Sequence, residues 1–325
     1  MGNKLKLNLT PEIALNSEIM HKKIAIDGTL MLHQVLYAHR IGSTGEYFRS
    51  KSGVITSHIY GLTSRLTPFI RRGAKLVFVM DGKRNPLKIS ECKRRAQQTE
   101  LKLQMLMEYI AQGQENCPDA IKIKKSINYI TEDILKTTKK LITLMGGIYH
   151  VAKQEAEAEC ADLVNRGLCD MVWSDDSDTA LYFKTANAKW LKKIKIVKSG
   201  EIFGQILTSG AILKSLNMSQ SELIDVAIMA GTDYSSGIFK VGPVNGQKLI
   251  KKYKNLKTIV AEYDSSKLSN IGPWQKIQKN FKLPQVSGVK KIKYPKPHIF
   301  KLSEFLQNHD ISLKKIRQII LSIRK

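Results

Sequence analysis

Acidic residues are concentrated in one short part of an otherwise strongly basic chain. The 325 residues carry a formal net charge of +25, yet residues 155 to 178 hold eight acids and a single base, Arg166. That window has a net charge of −7, so the rest of the chain carries +32. Carboxylates forced together raise one another's pKa unless a cation compensates them. The alternative is that the acids simply lie on a solvated helix face.

Two more acids follow short apolar runs in distant parts of the chain. Asp27 ends KKIAID (22 to 27) and Asp81 ends KLVFVMD (75 to 81), while CDMVWSD (169 to 175) ends on Asp175. Ligand sites of parallel sheets lie beyond the carboxyl ends of the strands. We therefore expect Asp27 and Asp81 to join the acidic window in one site.

The residue types at this site favour Mg²⁺, with Mn²⁺ as a substitute. No His or Cys is arranged as a soft ligand, and hard oxygen donors suit these two ions. Two metal ions about 4 Å apart can activate a water and stabilise both oxygens of a phosphodiester displacement. A carboxylate cluster in a basic chain therefore suggests a nuclease.

The elements that must position these acids alternate between strand and helix patterns. Further strands are expected at 146 to 152 and 194 to 198, and helices at 54 to 72 and 131 to 145. This alternation predicts an α/β fold with a mostly parallel central sheet flanked by helices. Residues 83 to 130 are too long for a simple connection and predict a basic helical insertion over the site.

The chain is expected to divide into two regions. Residues 1 to 217 would form the α/β core with its insertion, and residues 218 to 325 a helical region packed on it. A connector rich in Pro and Lys (residues 282 to 298) lies within the second region.

The amino-acid composition indicates which class of partner the protein binds. The excess of 53 Lys and Arg over 28 Asp and Glu points to a polyanion, with nucleic acid favoured. No run of about 18 apolar residues and no signal peptide is found, so a membrane is disfavoured and an intracellular protein is expected. The four cysteines match neither a disulfide framework nor a zinc spacing.

Five motifs, in order over nearly the whole chain, resemble those of the flap endonuclease family of structure-specific 5′ nucleases. They are IAIDG, VFVMDGKRNPLK, QEAEAECADLV, SDDSDTALYF and MAGTDYSSGIFKVGPVNGQKLI. The resemblance places seven metal-site carboxylates on Asp27, Asp81, Glu155, Glu157, Asp176, Asp178 and Asp233. It assigns the first four mainly to one metal and the last three to a second.

The resemblance also implies an activity and further site residues. The protein would cut DNA near a junction of single and double strands, with a 5′ flap held beneath a helical arch, during replication and repair. It would work in the nucleus of a eukaryote, or otherwise in the cytoplasm. Lys88 and Arg95 would steer and polarise the scissile phosphate, and their spacing of seven residues places both on one helix face.

Other positions are expected to contact flap, nicked or branched DNA. His33 falls where the family commonly has a Tyr that stacks on a flap base, although a purely structural His stays an alternative. GPVNG (242 to 246) resembles a phosphate-binding turn that opens a helix-turn-helix element and holds K⁺ in the family, and Lys240 replaces its usual Gly. The expected DNA-contacting residues are Gly2, His33, Lys83, Arg84, Lys93, Arg94, Lys240, Gly242, Gly246 and Lys248. The family's sliding-clamp tail is absent, so clamp recruitment is not expected.

Three alternatives remain open from the sequence. A 5′ exonuclease or a junction resolvase would use the same carboxylates. A catalytically silent DNA-binding scaffold would lack a ligand, yet all seven positions are acidic. A phosphatase or other Mg²⁺ hydrolase would not explain the +32 outside the acidic window.

Helix geometry sharpens the expectation for KQEAEAECAD (153 to 162). On a regular helix Glu155 and Glu159 would share a face, with Glu157 opposite. The motif instead selects Glu155 and Glu157, which requires Glu155 to lie in the turn before the helix or in its irregular first turn. Glu159 then becomes an extra acid, outside the metal ligands or solvated.

Overall fold

The computed structural model describes residues 11 to 262, 268 and 271 to 324, so the predicted DNA contact at Gly2 lies outside the described residues. Within these residues, seven strands form one sheet: β1 Ile13–Ala14, β2 Lys23–Asp27, β3 Lys75–Met80, β4 Ile148–Val151, β5 Met171–Trp173, β6 Lys189–Ile196 and β7 Ile202–Thr208. Their order is β1-β7-β6-β5-β2-β3-β4. β4, β3, β2, β5 and β6 are mutually parallel, whereas β7 runs antiparallel to β6 and β1 antiparallel to β7. The predicted mostly parallel α/β fold is confirmed.

Thirteen α-helices are found among the described residues. They are α1 Gly28–Ala38, α2 Ser57–Arg71, α3 Ile89–Ala111, α4 Pro118–Ser126, α5 Glu132–Leu144, α6 Ala156–Asn165, α7 Ser209–Leu216, α8 Gln220–Ala230, α9 Pro243–Tyr253, α10 Leu256–Glu262, α11 Trp274–Lys282, α12 Ile299–Gln307 and α13 Leu313–Ile323. Short 3₁₀ helices cover Pro86–Lys88 and Ser177–Tyr182. None of the helices in the described part of the chain is both long and apolar enough to cross a membrane.

Helices cover both faces of the sheet because successive strand residues point to opposite sides. Ala25 of β2 faces a core formed with α6, α8 and α11. Its neighbours Ile24 and Ile26 face a second core formed with α1, α2 and α5. The three-layer arrangement leaves the carboxyl ends of the parallel strands as the edge at which side chains can gather.

The helical region after residue 217 contributes to both layers. Helices α8 to α11 pack into the core that contains Ala25, whereas α12 and α13 pack against α5 and α2 on the opposite face. The division of the chain at residue 217 stays a prediction, and the last two helices pack directly on the core.

Three details of the sheet differ from the sequence-based expectation. The strand expected at 194 to 198 begins at Lys189 and ends at Ile196. β7 was not predicted, because IFGQILT alternates weakly and follows a Ser-Gly turn. β1 has two residues, too few for a periodic pattern to show.

The insertion between β3 and β4 has the predicted basic, helical character. It consists of a 3₁₀ turn, the long helix α3 and the shorter helix α4. No residue of α3 is buried, so this helix stands away from the core. We call residues 83 to 130 the arch.

Candidate metal centre and active site

Strand ends and helix starts bring the acidic residues to one edge of the sheet. Asp27 is the last residue of β2 and caps α1, since its Oδ1 accepts a hydrogen bond from the Leu30 amide at 3.0 Å. Asp81 follows β3, and its Oδ1 accepts from the Ala156 amide at 2.8 Å, at the first turn of α6. Because β2 and β3 are adjacent and parallel, the two carboxylates end side by side.

Asp81, Glu155 and Glu157 form the tightest acidic cluster among the described residues. One carboxylate oxygen from each lies within 4.8 Å of the others. Glu155 is the residue before α6, with extended backbone, and Glu157 lies in the first turn. The expectation that Glu155 precedes the helix is therefore confirmed, and this placement lets both side chains reach one site.

Glu159 lies outside the acidic cluster, which agrees with one of its two expected alternatives and not with the other. It is fully buried rather than solvated, and its carboxylate accepts from His150 Nε2 at 3.2 Å and from the Ser287 amide at 2.8 Å. The Ser287 hydroxyl also bonds to it. Glu159 thereby fastens the connector to α6.

Ser174 joins Asp27 to the segment after β5. Its hydroxyl donates to Asp27 Oδ2 at 3.1 Å and accepts from the Asp176 amide at 3.1 Å. Asp176 in turn accepts from the Asp178 amide at 2.9 Å, and the Asp178 side chain is buried. These two acids therefore lie at the same sheet edge as Asp27.

Lys88 and Arg95 converge on the site as the sequence predicts. Lys88 Nζ contacts Glu155 Oε2 and lies 3.7 Å from Glu157 Oε1 and 3.3 Å from Asp233 Oδ2. Arg95 Nη2 lies 2.8 Å from Asp233 Oδ1. The base of the arch thus supplies two cations that contact Asp233 in the turn after α8, and Lys88 also contacts acids of the core.

Burial and mutual repulsion raise the pKa values of the central carboxyls. Burial, reinforced by the charge of Asp81, raises the pKa of Asp27 to about 7. Burial raises the pKa of Glu157 well above its usual value, and burial also raises that of Glu155, although Lys88 opposes both shifts. Burial lowers the pKa of Lys88, but the surrounding carboxylates outweigh it, so the net shift is upward.

This donor set fits a hard divalent cation. The clustered atoms are carboxylate oxygens, the ligands that Mg²⁺ and Mn²⁺ prefer. Several buried carboxyls share one compensating ammonium, Lys88, and a bound cation would lower their pKa values.

The predicted DNA-contacting residues of the arch separate into two kinds. Lys83, Arg84 and Lys93 are exposed on it. Arg94 instead forms two hydrogen bonds of 2.7 Å to Glu91, and these bonds lower the pKa of Glu91 to about 2. Arg94 therefore uses part of its hydrogen-bonding capacity within the arch. The i, i+3 spacing of Glu91 and Arg94 could have indicated this pairing.

His33 is exposed on α1 beside the acidic edge. Burial of part of its ring lowers its pKa, while the charge of Asp81 acts in the opposite direction and Arg95 adds to the lowering. The structure therefore brings it to the site, accessible from outside.

The turn before α9 holds a lysine in a backbone conformation that is typical of glycine. Lys240 has a φ of +58°, the left-handed conformation that usually calls for Gly. Gly242 caps α9 with extended backbone, and Lys240 and Lys248 are exposed. Gly246 is buried, and a side chain there would meet Val226 of α8 at 3.3 Å. Its small size therefore serves helix packing, and its predicted DNA contact stays a prediction.

Sequence reasoning missed three residues that organise the site. Ser174 could have been found, because it lies at the carboxyl end of a predicted strand, next to Asp175. Glu91, which orients Arg94 and Arg95, carried only a helical spacing signal. Tyr234 lies beneath Lys88, with Nζ 5.3 Å from the ring centre, and its hydroxyl is 2.9 Å from that of Tyr182.

Comparisons with known proteins identify the relatives of this chain. The XPG N-terminal domain matches residues 13 to 102, and the XPG I-region matches residues 147 to 233. A Flap endonuclease 1 of Methanocella arvoryzae is 32% identical over 311 residues, covering 93% of this chain and 89% of the relative. One from Pyrobaculum islandicum is 30% identical and covers 100% and 94%.

Solved structures share the fold. Flap endonuclease-1 from Methanococcus jannaschii has a TM-score of 0.72 at 21% identity, with 99% of this chain and 98% of that chain covered. The catalytic core of Rad2 in complex with DNA substrate has a TM-score of 0.71 at 22% identity, with 96% of each chain covered. With both family domains matched, and with relatives above 30% identity aligned over almost its whole length, the chain belongs to the flap endonuclease family.

Proposed function

We propose that this protein is a structure-specific 5′ nuclease that hydrolyses DNA phosphodiester bonds at flaps or junctions of single and double strands, in replication and repair. The observation that carries the proposal is the cluster of Asp81, Glu155 and Glu157 in contact with Lys88 of the arch, with Arg95 of the arch paired to Asp233, which Lys88 also contacts. Carboxylates alone would repel a phosphate, so the two cations beside them are what make the site suited to one. The protein would act in the nucleus of a eukaryote and otherwise in the cytoplasm.

The cofactor of this proposal is a pair of Mg²⁺ ions, replaceable by Mn²⁺. Asp81, Glu155 and Glu157 would hold one, with Asp27 behind them, and Asp176, Asp178 and Asp233 would serve the second. When bound, such ions supply an activated water and stabilise charge on the reacting oxygens. The family resemblance further implies a K⁺ ion at the turn before α9.

Lys88 and Arg95 would position the scissile phosphate. In the structure each is ion-paired to carboxylates, and both share Asp233. A phosphate entering beneath the arch would compete for the same donors, since Arg and Lys bind phosphate and carboxylate oxygens alike. The cations could thereby exchange a carboxylate partner for the substrate.

DNA would be held by surfaces on two sides of the site. The exposed Lys83, Arg84 and Lys93 on the arch would attract the single strand. His33, exposed beside the acidic edge, would contact a nearby base. On the other side, Lys240, Gly242 and Lys248 at the start of α9 would bind the duplex backbone through cations and helix-end amides.

The test is cleavage of labelled 5′-flap, nicked, gapped, bubble and four-way-junction DNA by the purified protein, with Mg²⁺ or with EDTA. We expect incision near the single-strand to double-strand junction with Mg²⁺ and none with EDTA. A ladder of mononucleotides from a nick would favour a 5′ exonuclease, and symmetric incision of the four-way substrate a junction resolvase. If none of the five DNA substrates is cut in the presence of Mg²⁺, the nuclease proposal is refuted.

A further inference from the structure

The connector is an unusually basic part of an already basic protein. Between Asp264 and Glu304 the sequence holds nine lysines and no acidic residue. Four of these lysines lie on the connector beyond Lys282, the residue at which α11 ends. They are Lys290, Lys291, Lys293 and Lys296, here called the connector lysines. The proposed nuclease mechanism gives them no role.

The backbone of the connector is fastened to the core at several points. Glu159 accepts hydrogen bonds from the Ser287 amide and hydroxyl, and Arg166 Nη1 donates to the Val289 carbonyl at 2.6 Å. Further along, Ile292 and Tyr294 pack against the core that contains Ala25. The His298 amide donates to the Leu144 carbonyl at 2.9 Å. The segment therefore has a defined course although it forms no helix or strand.

All four connector lysines remain exposed on this fixed backbone. None forms an ion pair with any residue in the described part of the chain. A solvated loop of this length needs no such anchoring, and unpaired like charges on a fixed backbone repel one another. The arrangement fits a surface whose counter-charge comes from a bound polyanion.

The connector begins at the base of the arch. Asn85, at the start of the arch, donates to Asn280 Oδ1 at 3.0 Å, and Asn280 lies near the end of α11. Ser287 then bonds to Glu159, two residues after Glu157 of the acidic cluster. From there the chain follows edge strand β4, passing His150 and reaching Gly146, which Pro297 contacts. The connector therefore leads from the candidate site along one side of the molecule.

An aromatic side chain lies where the connector ends. Phe300, in the first turn of α12, is 83% exposed, and Lys296 and Lys301 flank it in sequence. Single-stranded nucleic acid is bound by basic tracks that follow the backbone, together with aromatic rings on which bases stack. An acidic protein segment would match the lysines but would not need an exposed ring at this point.

We propose that the connector lysines and Phe300 bind the single-stranded 5′ arm of the DNA substrate after it leaves the arch. This proposal rests on the proposed nuclease function. The lysines contact successive phosphates, and Phe300 stacks on a base further along the arm. This surface binds the flap beyond the site of incision, so the affinity for DNA increases with flap length.

The test compares DNA binding and cleavage by the full chain and a variant in which all four connector lysines are replaced by Gln. Substrates carry 5′ flaps of about 4 or about 20 nucleotides, chosen to bracket typical single-strand site sizes. We expect the variant to bind the long flap at least tenfold more weakly and the short flap equally well. Each lost single-strand phosphate contact should also reduce the salt slope of binding by about 0.7.

A charge-matched control separates this surface from net charge. Lys51, Lys198, Lys214 and Lys314 are likewise exposed and form no ion pair in the described part of the chain, and they lie outside the arch, the connector and the turn before α9. Replacing these four by Gln should leave the preference for the long flap intact. Phe300→Ala should weaken long-flap binding without changing the salt slope, whereas Phe300→Tyr should retain it.

The remaining outcomes are decisive. Unchanged long-flap affinity in the connector variant would overturn the proposal, as would an equal loss in the control. Equal loss on long and short flaps, or loss that tracks the length of a duplex arm, would assign the lysines to another part of the substrate. Retained short-flap cleavage shows that the nuclease site is intact, so failure here is distinguishable from failure of the proposed function. Binding of an acidic peptide in place of DNA would assign the surface to a protein partner.

Discussion

Arg95 Nη2 lies 2.8 Å from Asp233 Oδ1, although 138 positions separate the two residues in the sequence. The pair connects the arch to the turn after α8, and Lys88 Nζ adds a second contact to the same carboxylate at 3.3 Å. The base of the arch is therefore held over the acidic edge by charge as well as by Leu87, which packs against the core that contains Ala25, whereas α3 itself buries no residue. Contacts of this kind can be exchanged for contacts to phosphate.

Substitution of Arg95 tests this arrangement. We expect Arg95→Ala to slow single-turnover cleavage of a 5′-flap substrate about 100-fold, the scale on which one positioned donor contributes to catalysis. Arg95→Lys should recover part of the rate, because it keeps the charge but loses the planar fork. Arg94→Ala is the matched control, as Arg94 pairs with Glu91 and should matter less than tenfold. Equal losses at both positions would mean that general arch charge, not the Asp233 contact, is responsible.

Glu157 and Glu159 lie two positions apart on α6, and their substitutions should affect different properties: cleavage for Glu157 and stability for Glu159. Glu157→Gln removes an oxygen ligand of the acidic cluster, so cleavage should fall at least about 100-fold while flap binding in EDTA persists. Glu159→Gln should retain cleavage but lower the free energy of unfolding by about 1 to 3 kcal/mol, since a buried acceptor of three hydrogen bonds is weakened. Rapid-quench kinetics and urea titration measure the two effects. A slow Glu159→Gln enzyme would place that residue in the site after all.

Lys240 permits a separation of backbone and charge at the turn before α9. The left-handed backbone conformation at position 240 costs a non-glycine residue about 1 to 2 kcal/mol. Glycine avoids this cost, but it also gives the unfolded chain more conformational freedom, which offsets part of the gain in stability. Lys240→Gly should therefore leave the free energy of unfolding unchanged or raise it by up to about 1 kcal/mol, whereas Lys240→Val should lower it. Both variants lose one cation and should weaken duplex binding similarly. A stable glycine variant with unchanged duplex affinity would remove Lys240 from the interface.

His58 gives the fold a calculable response to acid. It is fully buried, with Nε2 2.7 Å from Thr137 Oγ1, and burial together with the charge of His309 lowers its pKa from 6.5 to about 4. Between pH 6.5 and 4 the unfolded chain binds a proton that the folded chain does not, so this contribution to stability is present above pH 6.5 and is lost as the pH falls. From pH 7 to 4.5 the loss is about 2 to 3 kcal/mol.

His58→Phe should remove that part of the pH dependence. Thr137 Oγ1 keeps its bond to the Asp133 carbonyl at 2.7 Å, so no new unpaired hydroxyl is created. Urea titrations at pH 7 and pH 4.5 for both proteins give the difference directly, with other titrating groups common to the two. Parallel pH dependences would show that His58 does not titrate as its burial predicts.

The sequence alone determined the kind of fold and the chemistry of the site. Local signals were sufficient for this, because apolar runs that end on Asp27 and Asp81 specify parallel strands whose ends converge. The spacing of Glu155 and Glu157 likewise required one of them to precede the helix, and it does. The basic insertion and the family resemblance followed from contiguous stretches.

Only the tertiary structure decided how these residues combine. Contacts between residues far apart in the chain have no local signature, so the pairing of Arg95 with Asp233 could not be predicted, and for Ser174 only its place at the sheet edge could. The same holds for Glu159: the sequence left open whether it is solvated, and its contact with Ser287, 128 positions away, shows that it is not. Lys240 shows the converse case, in which the surrounding fold imposes a backbone conformation that the residue type disfavours.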